Sequence, residues 1–345
     1  LDSAYTLFSP NGDGRRDSVT IRQEGSTETL WEASILKMES DGTAESSGSQ
    51  EVVRSYFWKG APQNLTWNGR DDAGNLVETG FYRYRVSAQD QAGNRTVREL
   101  TNLRVDNRET ELFVTVNPEA ISPNSDSYRD QTRIRSYASL LDGAERWELT
   151  LQDRTGTVRR SYSGSSLEAE WEIVWDGRDD EGSLVQGTVT PVLTVWYRKG
   201  DRPRVEGPAI RVDTEAPELA VELEPLPFSP DNDGVADELN IRLSVSDDSD
   251  IARWRFRILD RTGRYFNQFS GEGMPPDTLT WNGRASDGEL VISAEDYPYV
   301  FEVRDALGNT AVTEGRIPID ILVVRDGDRL KVQIADITFA PNSAE

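Results

Sequence analysis

Three loops of the sequence space oxygen-bearing side chains in one pattern, Asn/Asp-x-Asp-x-x-x-Asp. Their residues are Asn11, Asp13 and Asp17, then Asn124, Asp126 and Asp130, then Asp231, Asp233 and Asp237. Ca²⁺ accepts carboxylate, amide and carbonyl oxygens with flexible geometry, so each loop is a candidate structural calcium site. Asx-turns, in which the same side chains cap their own backbone, are the alternative interpretation. Ser127 stands where the other loops have Gly14 and Gly234, so the second site is expected to be the weakest.

These acidic loops are one landmark of an internal repeat. Each loop follows Ser-Pro, and the prolines Pro10, Pro123 and Pro230 are 113 and 107 residues apart. A second landmark, Trp-Asn/Asp-Gly-Arg, begins at Trp67, Trp175 and Trp281, which are 108 and 106 residues apart. Two landmarks with nearly the same period predict three tandem copies. We expect repeats at 1–107, 108–214 and 215–319, followed by a C-terminal piece at 320–345.

Within each copy, apolar residues alternate with polar ones. Leu219, Val221 and Leu223 show this period of two, which is typical of strands with one buried face. Turn clusters separate the short runs, and about seven strands in about 107 residues indicate an immunoglobulin-like sandwich. The predicted fold is all-β, with three tandem immunoglobulin-like antiparallel β-sandwiches and a short C-terminal hairpin. Copy one has only 1–8 before its Ser-Pro, so its edge strand is expected to be short or built differently.

The tryptophans fall into two groups. Trp31, Trp147 and Trp254 recur at 21 to 24 residues after each Ser-Pro, and with the Trp-x-Gly-Arg tryptophans they are expected in the cores. Trp58, Trp171 and Trp196 do not recur, so exposed ligand contact is more plausible there. The arginine that ends each Trp-x-Gly-Arg landmark is expected to pair with a neighbouring acid such as Asp71 or Asp179.

Composition excludes several classes of function. The 38 basic and 61 acidic residues leave a net charge of −23, which argues against nucleic acid and anionic lipid as partners. The sequence has no Cys and no His, which removes Ser-His-Asp, Cys-His and zinc-hydrolase mechanisms. Paired-carboxylate glycosidase chemistry stays open, although 61 acidic residues single out no particular pair. We predict that the chain is not an enzyme and requires no cofactor. No apolar run approaches the ~18 residues of a membrane helix, so it is not expected to span a membrane.

The second half of each copy resembles a known module. Trp-Asn/Asp-Gly-Arg-Asp-Asp-x-Gly, then Gly80 to Val86 and Asp90-Gln91-Ala92-Gly93-Asn94, is similar to the immunoglobulin-like domain of flagellar hook-capping proteins. The same module occurs as tandem repeats in bacterial surface and envelope proteins. Copy two departs from the pattern after Gly187, and copy three has Ala294-Glu295-Asp296-Tyr297 in place of Gly-Tyr. The resemblance implies a sandwich fold and a place in the bacterial envelope.

The tail carries a separate signal. Residues Ile321 to Ile334 predict a hairpin with an Asp-Gly turn. Ile337 to Ala344 is similar to the first strand of OmpA-like peptidoglycan-binding domains, and repeats ahead of such a domain look like spirochaete envelope proteins. The chain, read as a fragment of a longer protein, is thus expected to be a non-catalytic periplasmic or cell-surface spacer. Peptidoglycan would then bind only through a downstream domain, with an envelope protein as a further candidate partner. The alternative is a glycan- or protein-binding module that uses loops at one end of a sandwich.

Overall fold

The computed structural model describes residues 1–38 and 51–320, with the backbone of 323–326 and 329–332. Every regular element in these ranges is a β-strand. None of the described residues forms a helix long and apolar enough to cross a membrane. Residues 39–50 of copy one and the segment 337–344, predicted to be an OmpA-like strand, lie outside the described residues.

The first sandwich contains strands β1 to β7. They are β1 Leu7–Phe8, β2 Val19–Ile21, β3 Glu28–Met38, β4 Val52–Gly60, β5 Leu65–Trp67, β6 Gly80–Gln89 and β7 Arg95–Val105. Five strands form one sheet in the order β1-β7-β6-β3-β4, and β2 pairs with β5 in the other. At the predicted short edge, a single bridge joins Asp2 to Arg22.

The second sandwich contains strands β8 to β16. They are β8 Leu112–Asn117, β9 Ala120–Ile121, β10 Thr132–Ala138, β11 Ala144–Asp153, β12 Val158–Gly164, β13 Glu170–Trp175, β14 Gly187–Tyr197, β15 Arg204–Glu206 and β16 Ile210–Val212. One sheet has the order β13-β10-β8. The other has the order β12-β11-β14-β16-β9, and β15 also pairs with β14.

The third sandwich contains strands β17 to β23, and a hairpin of β24 and β25 follows. They are β17 Glu218–Glu224, β18 Leu239–Ser246, β19 Ile251–Leu259, β20 Tyr265–Glu272, β21 Thr278–Trp281, β22 Asp296–Asp305, β23 Thr310–Pro318, β24 Val323–Asp326 and β25 Arg329–Val332. Its sheets have the orders β17-β18-β21 and β20-β19-β22-β23. The antiparallel pairing of β24 with β25 agrees with the predicted hairpin.

Each sandwich closes around its own core, because the alternating strands each turn one apolar face inward. The largest buried side chains are Trp67, Trp175 and Trp281, which are 0%, 0% and 2% exposed. Burying a Trp removes roughly 150–250 Å² from water, which stabilises by about 4–6 kcal/mol. Trp31 and Trp254 are also buried, as predicted. Trp147 is only partly buried against the second core.

One pairing differs from the all-antiparallel expectation. The strand that leads into each Ser-Pro runs parallel to the last strand of its sandwich: β1 with β7, β9 with β16, and the bridge of Phe228 with Ile319. In the second sandwich the chain moves from one sheet, at β8, to the other, at β9, over a few residues. Strand β9 therefore pairs with β16 in parallel, and the acidic loop that follows β9 lies at the end of the sandwich.

Candidate functional site

Each acidic loop rests on the Trp-x-Gly corner of its own sandwich. The glycines of the corner, Gly69, Gly177 and Gly283, have positive φ angles of 69°, 76° and 73°. A Cβ at these positions would lie 2.7, 2.7 and 2.5 Å from Cγ of the loop prolines Pro10, Pro123 and Pro230. Only glycine permits both the conformation and the approach. The two landmarks of the sequence repeat are therefore in contact within each sandwich.

The corner is held by hydrogen bonds that recur in all three sandwiches. The indole Nε1 of Trp67, Trp175 and Trp281 donates to the backbone oxygen of the arginine three residues later, at 3.0, 2.8 and 2.8 Å. Each arginine, Arg70, Arg178 and Arg284, donates in turn to the carbonyl of a glycine four residues on. These arginines therefore brace the turn backbone rather than the neighbouring acids that the sequence suggested.

Within each loop the predicted ligand side chains accept hydrogen bonds from their own backbone. In the first loop, the carboxylate of Asp17 accepts from the amides of Gly12 and Gly14, at 2.6 and 2.8 Å. Asn11 Oδ1 accepts from the amide of Asp13, at 3.0 Å. The second and third loops repeat these bonds through Asp130 and Asp237. The geometry is that of the Asx-turn alternative.

The third loop also brings three carboxylates together. Asp231, Asp233 and Asp237 each place one oxygen within 4.8 Å of the others. The first two loops have an amide, Asn11 or Asn124, at the position of Asp231. A set of carboxylate and amide oxygens matches the hard ligands that Ca²⁺ prefers. In composition the loops fit this ion, and the third does so with the greatest negative charge.

The loop of the first sandwich also contacts the second sandwich. Asn11 Nδ2 donates to Asp201 Oδ1 at 3.1 Å, and Arg16 donates to the backbone oxygen of Arg198. Next to them Lys199, 2% exposed, has its Nζ 2.9 Å from Asp201 Oδ2 and 3.8 Å from Asp106 Oδ1. We name this contact of the β14–β15 turn with the first sandwich joint A.

Joint A is braced by a second cluster of charges. Arg108 donates to both carboxylate oxygens of Asp106, at 2.9 and 2.7 Å, and to Asp142 of the second sandwich at 2.8 Å. Burial alone would raise the pKa of Asp106, but the hydrogen bonds from Arg108 and the charge of Lys199 outweigh it and lower that pKa. The hydrogen bond from Arg108 also lowers the pKa of Asp142. The linker between the first two sandwiches, which contains Asp106 and Arg108, is thus bound to the second sandwich through Asp142 and Lys199.

The loop of the second sandwich meets the third in the same way. Asn309 Oδ1 accepts from Ser122 Oγ at 2.6 Å and from Asn124 Nδ2 at 3.1 Å. Its Nδ2 donates to the backbone oxygen of Asp213 at 3.1 Å. Arg304 forms an ion pair with Asp126 at 3.2 Å. We name this contact of the β22–β23 turn with the second sandwich joint B.

Joint B differs from joint A in its charge. Asp213, Asp247 and Asp305 place carboxylate oxygens within 4.8 Å of one another, and Asp213 and Asp305 are buried. Burial, with the nearby charges of Asp213 and Asp305, raises the pKa of Asp247. Arg211 offsets part of this repulsion through its ion pair with Asp213 at 3.2 Å.

Sequence reasoning found the acidic loops but not the turns that receive them. The receiving residues, Asp201 and Asn309, lie 190 and 185 residues from Asn11 and Asn124. The repeated Asp-x-x-Gly-Asn of 90–94 and 305–309 is the sequence signal that points to the receiving turn of the third sandwich. The turn of the second sandwich, 197–201, keeps only the glycine.

The non-recurring tryptophans were expected to be exposed and are instead half-buried. Trp58 stacks on Trp31, with ring centroids 5.6 Å apart, and Trp171 packs against Trp147 at 5.2 Å. Trp196 lies under the guanidinium of Arg146, which is 3.7 Å from its ring centroid. Trp58 and Trp171 pack against the cores of the first and second sandwiches and extend them outward, whereas Trp196 is covered by Arg146.

No protein-family model matches the chain, and no curated protein matches it. Among solved structures it is similar to a tetra-tandem repeat from the extending region of a large adhesion protein, with 17% identity, a TM-score of 0.33 and coverage of 92% of this chain and 73% of that one. It is similar to a 1.5-MDa bacterial ice-binding adhesin at 15% identity and a TM-score of 0.35, covering 89% of this chain and 91% of that one. A Ca²⁺-stabilised adhesin of an Antarctic bacterium shows 17% identity, a TM-score of 0.34 and coverage of 88% and 68%. All three TM-scores are below 0.5, so no conclusion about function rests on these likenesses.

Proposed function

We propose that the chain is a non-catalytic structural spacer of a bacterial envelope or surface protein, built from modules at 1–107, 108–214 and 215–319. The observation that carries this proposal is the pair of joints. At both, an acidic loop of one sandwich donates from an asparagine to the next sandwich. A spacer needs fixed angles between its modules, and directional hydrogen bonds to the buried acceptors Asp201 and Asn309 provide them.

Burial at the joints supports a stiff connection. Asp201 is 8% exposed, Asp305 1% and Asn309 4%. If a joint opens, the hydrogen bond that Asp201 or Asn309 accepts across it is exchanged for water, at a net cost of about 0.5–1.5 kcal/mol for each bond. Glycine contributes a close approach, since a Cβ at Gly308 would lie 2.8 Å from the carboxylate of Asp126. The sandwiches are therefore expected to move as one body.

Small-angle scattering of the intact chain tests the spacer. Three sandwiches arranged end to end, with strands that rise about 3.3 Å per residue, should form a rod of roughly 100 Å. The expected distance distribution is that of a stiff rod, with a maximum dimension that is independent of ionic strength between dilute and physiological salt. A compact particle, or a broad ensemble of angles between the sandwiches, would contradict the proposal.

The finer proposal is that the spacer positions a domain that anchors the protein to peptidoglycan. It rests on the OmpA-like resemblance of 337–344 and on the acidic surface of the sandwiches, which suits solubility more than binding to the carboxylates of the cell wall. Residues 1–345 alone should not sediment with purified peptidoglycan. A longer chain with a complete downstream domain should do so. Saturable sedimentation of residues 1–345 at micromolar concentration would overturn this assignment.

We also propose that the acidic loops bind structural calcium, and the third loop most tightly because it offers three carboxylates within 4.8 Å. Millimolar Ca²⁺ should then raise the melting temperature of the intact chain by mass action, and a chelator should reverse the rise. Asp233→Ala should remove the share that belongs to the third sandwich, whereas Asp277→Ala, at an exposed loop position, should not. A melting temperature that does not respond to Ca²⁺ would leave the Asx-turn as the sole role of these residues.

One observation favours the alternative of a binding module, although on a sheet face rather than at end loops. Phe113 is 56% exposed and lies 5.8 Å from the ring of Tyr137, beside the ion pair of Arg135 and Glu172. These side chains border a groove of about 680 Å³. Ala220 and Ser244 form the corresponding pair in the third sandwich. Glycan or peptide binding that Phe113→Ala abolishes, without a loss of stability, would support this second function.

A further inference from the structure

The first sandwich carries the same receiving turn that joint B uses. Asn94 Nδ2 donates to Asp90 Oδ2 at 2.8 Å, as Asn309 Nδ2 does to Asp305 Oδ2 at 2.9 Å. The backbone amide of each asparagine also donates to Oδ1 of its aspartate, at 2.8 Å in both turns. The turn at 90–94 is therefore already in the conformation that receives an acidic loop.

The two turns differ in what covers them. Leu307, Gly308 and Asn309 are buried at joint B, whereas the corresponding residues Ala92, Gly93 and Asn94 are exposed. Beside the exposed turn, a pocket of about 360 Å³ is open, bordered by 23–26 as well as by Asp90 and Asn94. On the corresponding side of the third sandwich, Ser249 forms hydrogen bonds with Arg211 and Asp213 of the second sandwich.

The chemistry of the two joints defines what the exposed turn can accept. At each joint an asparagine of the loop donates an amide N–H to the oxygen of Asp201 or Asn309. Asn94 uses one amide N–H on Asp90, so it presents its side-chain oxygen and its second N–H to a partner, the two groups that Asn309 uses across joint B. A loop with asparagine in this position complements that oxygen, whereas a loop with an ionised aspartate, such as Asp231, would place two acceptors together.

We propose that the turn at 90–94 and the pocket beside it form the receiving half of a third joint, which docks an immunoglobulin-like module placed ahead of the first sandwich and presenting a Ser-Pro-Asn loop. This proposal rests on the two joints of the proposed spacer, and it adds a third surface and the kind of module that binds there. The third acidic loop carries Asp231 in place of asparagine, so the third loop of a second copy of the chain should bind the turn at 90–94 poorly. Head-to-tail association of unaltered chains is therefore not expected.

A fusion to the full chain tests the proposal. In the fusion, residues 108–221 are joined directly to Asp2. Asp2 forms a β-bridge with Arg22, and Glu222 pairs with Arg242 at the corresponding position of the third sandwich. Asp2 can therefore follow residue 221 in the same register as Glu222 does. The sequence contains no cysteine, so Ala92→Cys and, separately, Leu307→Cys each create a single thiol. Labelling by a thiol reagent then reports whether each turn is covered.

The cysteine introduced by Ala92→Cys should react rapidly in the unfused chain and about tenfold or more slowly in the fusion, because a docked module must open before the reagent enters. Asn124→Asp in the added copy alone should restore rapid labelling. Leu307→Cys should react slowly in both chains. Equal labelling at position 92 with and without the added module would overturn the proposal, even if scattering confirms a rod. Rapid labelling at position 307 would instead contradict joint B and, with it, the spacer.

Discussion

Asn124 and Asn309 share a hydrogen bond of 3.1 Å from the amide nitrogen of one to the amide oxygen of the other, although 185 residues separate them. The same oxygen accepts from Ser122 Oγ at 2.6 Å, and both Ser122 and Asn309 are buried. An apolar contact would allow the two sandwiches to slide, whereas paired amides fix one register. The orientation of the second sandwich relative to the third thus depends on a few polar atoms.

Asn309→Ala should loosen joint B by about 1–3 kcal/mol, because it leaves the hydroxyl of Ser122 buried without its partner. Scattering should show a wider spread of angles, and the third sandwich should melt separately from the second. Asn94→Ala is the matched control, since it removes the corresponding bonds of an exposed turn, and it should leave the distance distribution unchanged. Identical effects of the two variants would show that the turn itself, and not the joint, had been damaged.

Lys199→Met should destabilise joint A. Its ammonium is nearly fully buried between Asp106 and Asp201, and removing one partner of a buried ion pair typically costs about 3–5 kcal/mol. Calorimetry of the intact chain should show an earlier transition for the first two sandwiches. Adding Asp201→Asn should recover part of the loss, because one uncompensated carboxylate is removed. A variant as stable as the unaltered chain would show that the buried lysine contributes nothing to the joint.

Asp247→Asn should stabilise joint B at neutral pH, and the gain should vanish on acidification. The pKa of Asp247 is raised by folding, so its ionised form destabilises the folded state. That penalty is fully present above the raised pKa and is lost as the pH falls toward the ordinary value of 3.8. Melting curves of both proteins from pH 7 to pH 4 should therefore converge. Curves that stay parallel, or diverge on acidification, would contradict this assignment.

Joint A should respond to acid in the opposite sense. The pKa of Asp106 is lowered in the folded protein, so its stabilisation is present above the ordinary value of 3.8 and is lost as the pH falls through the lowered pKa. Intrinsic-rate-corrected hydrogen exchange should show the turn at 198–201 opening below about pH 4. Over the same change the turn at 305–309 should retain or gain protection. Loss of both turns together would indicate global unfolding instead.

Trp281→Ala should unfold the third sandwich. The side chain is buried against Phe228 and Tyr297, and it braces the corner on which the acidic loop rests. Truncation of a buried Trp to Ala costs about 3–5 kcal/mol, a large fraction of the stability of a small domain. Denaturant unfolding monitored by circular dichroism measures this cost. Tyr265→Ala, at a side chain 68% exposed, should change stability by less than about 0.5 kcal/mol.

The repeat and the strands were accessible from sequence because they depend on local spacing. Alternation at Leu219, Val221 and Leu223 predicted the inward face of β17, whose three apolar side chains are half-buried against the third core. The joints were not accessible, because Asn11 and Asp201 meet only after two sandwiches have folded and aligned. Trp58 and Trp171 were misjudged for a related reason. A residue that does not recur can still pack against one that does, and the period of a sequence does not record that contact.

The parallel pairing at the end of each sandwich has a mechanical consequence. Force applied along the chain pulls β1 and β7 in opposite directions along their common axis. The amides of Arg104 and Asp106 donate to Thr6 and Phe8, at 2.8 and 3.0 Å, across this pair. Tension therefore shears both bonds at once instead of breaking them one after the other. In the second sandwich β9 and β16 repeat this parallel arrangement. In both sandwiches the strand pair that resists the force lies directly beside the acidic loop that contacts the next sandwich.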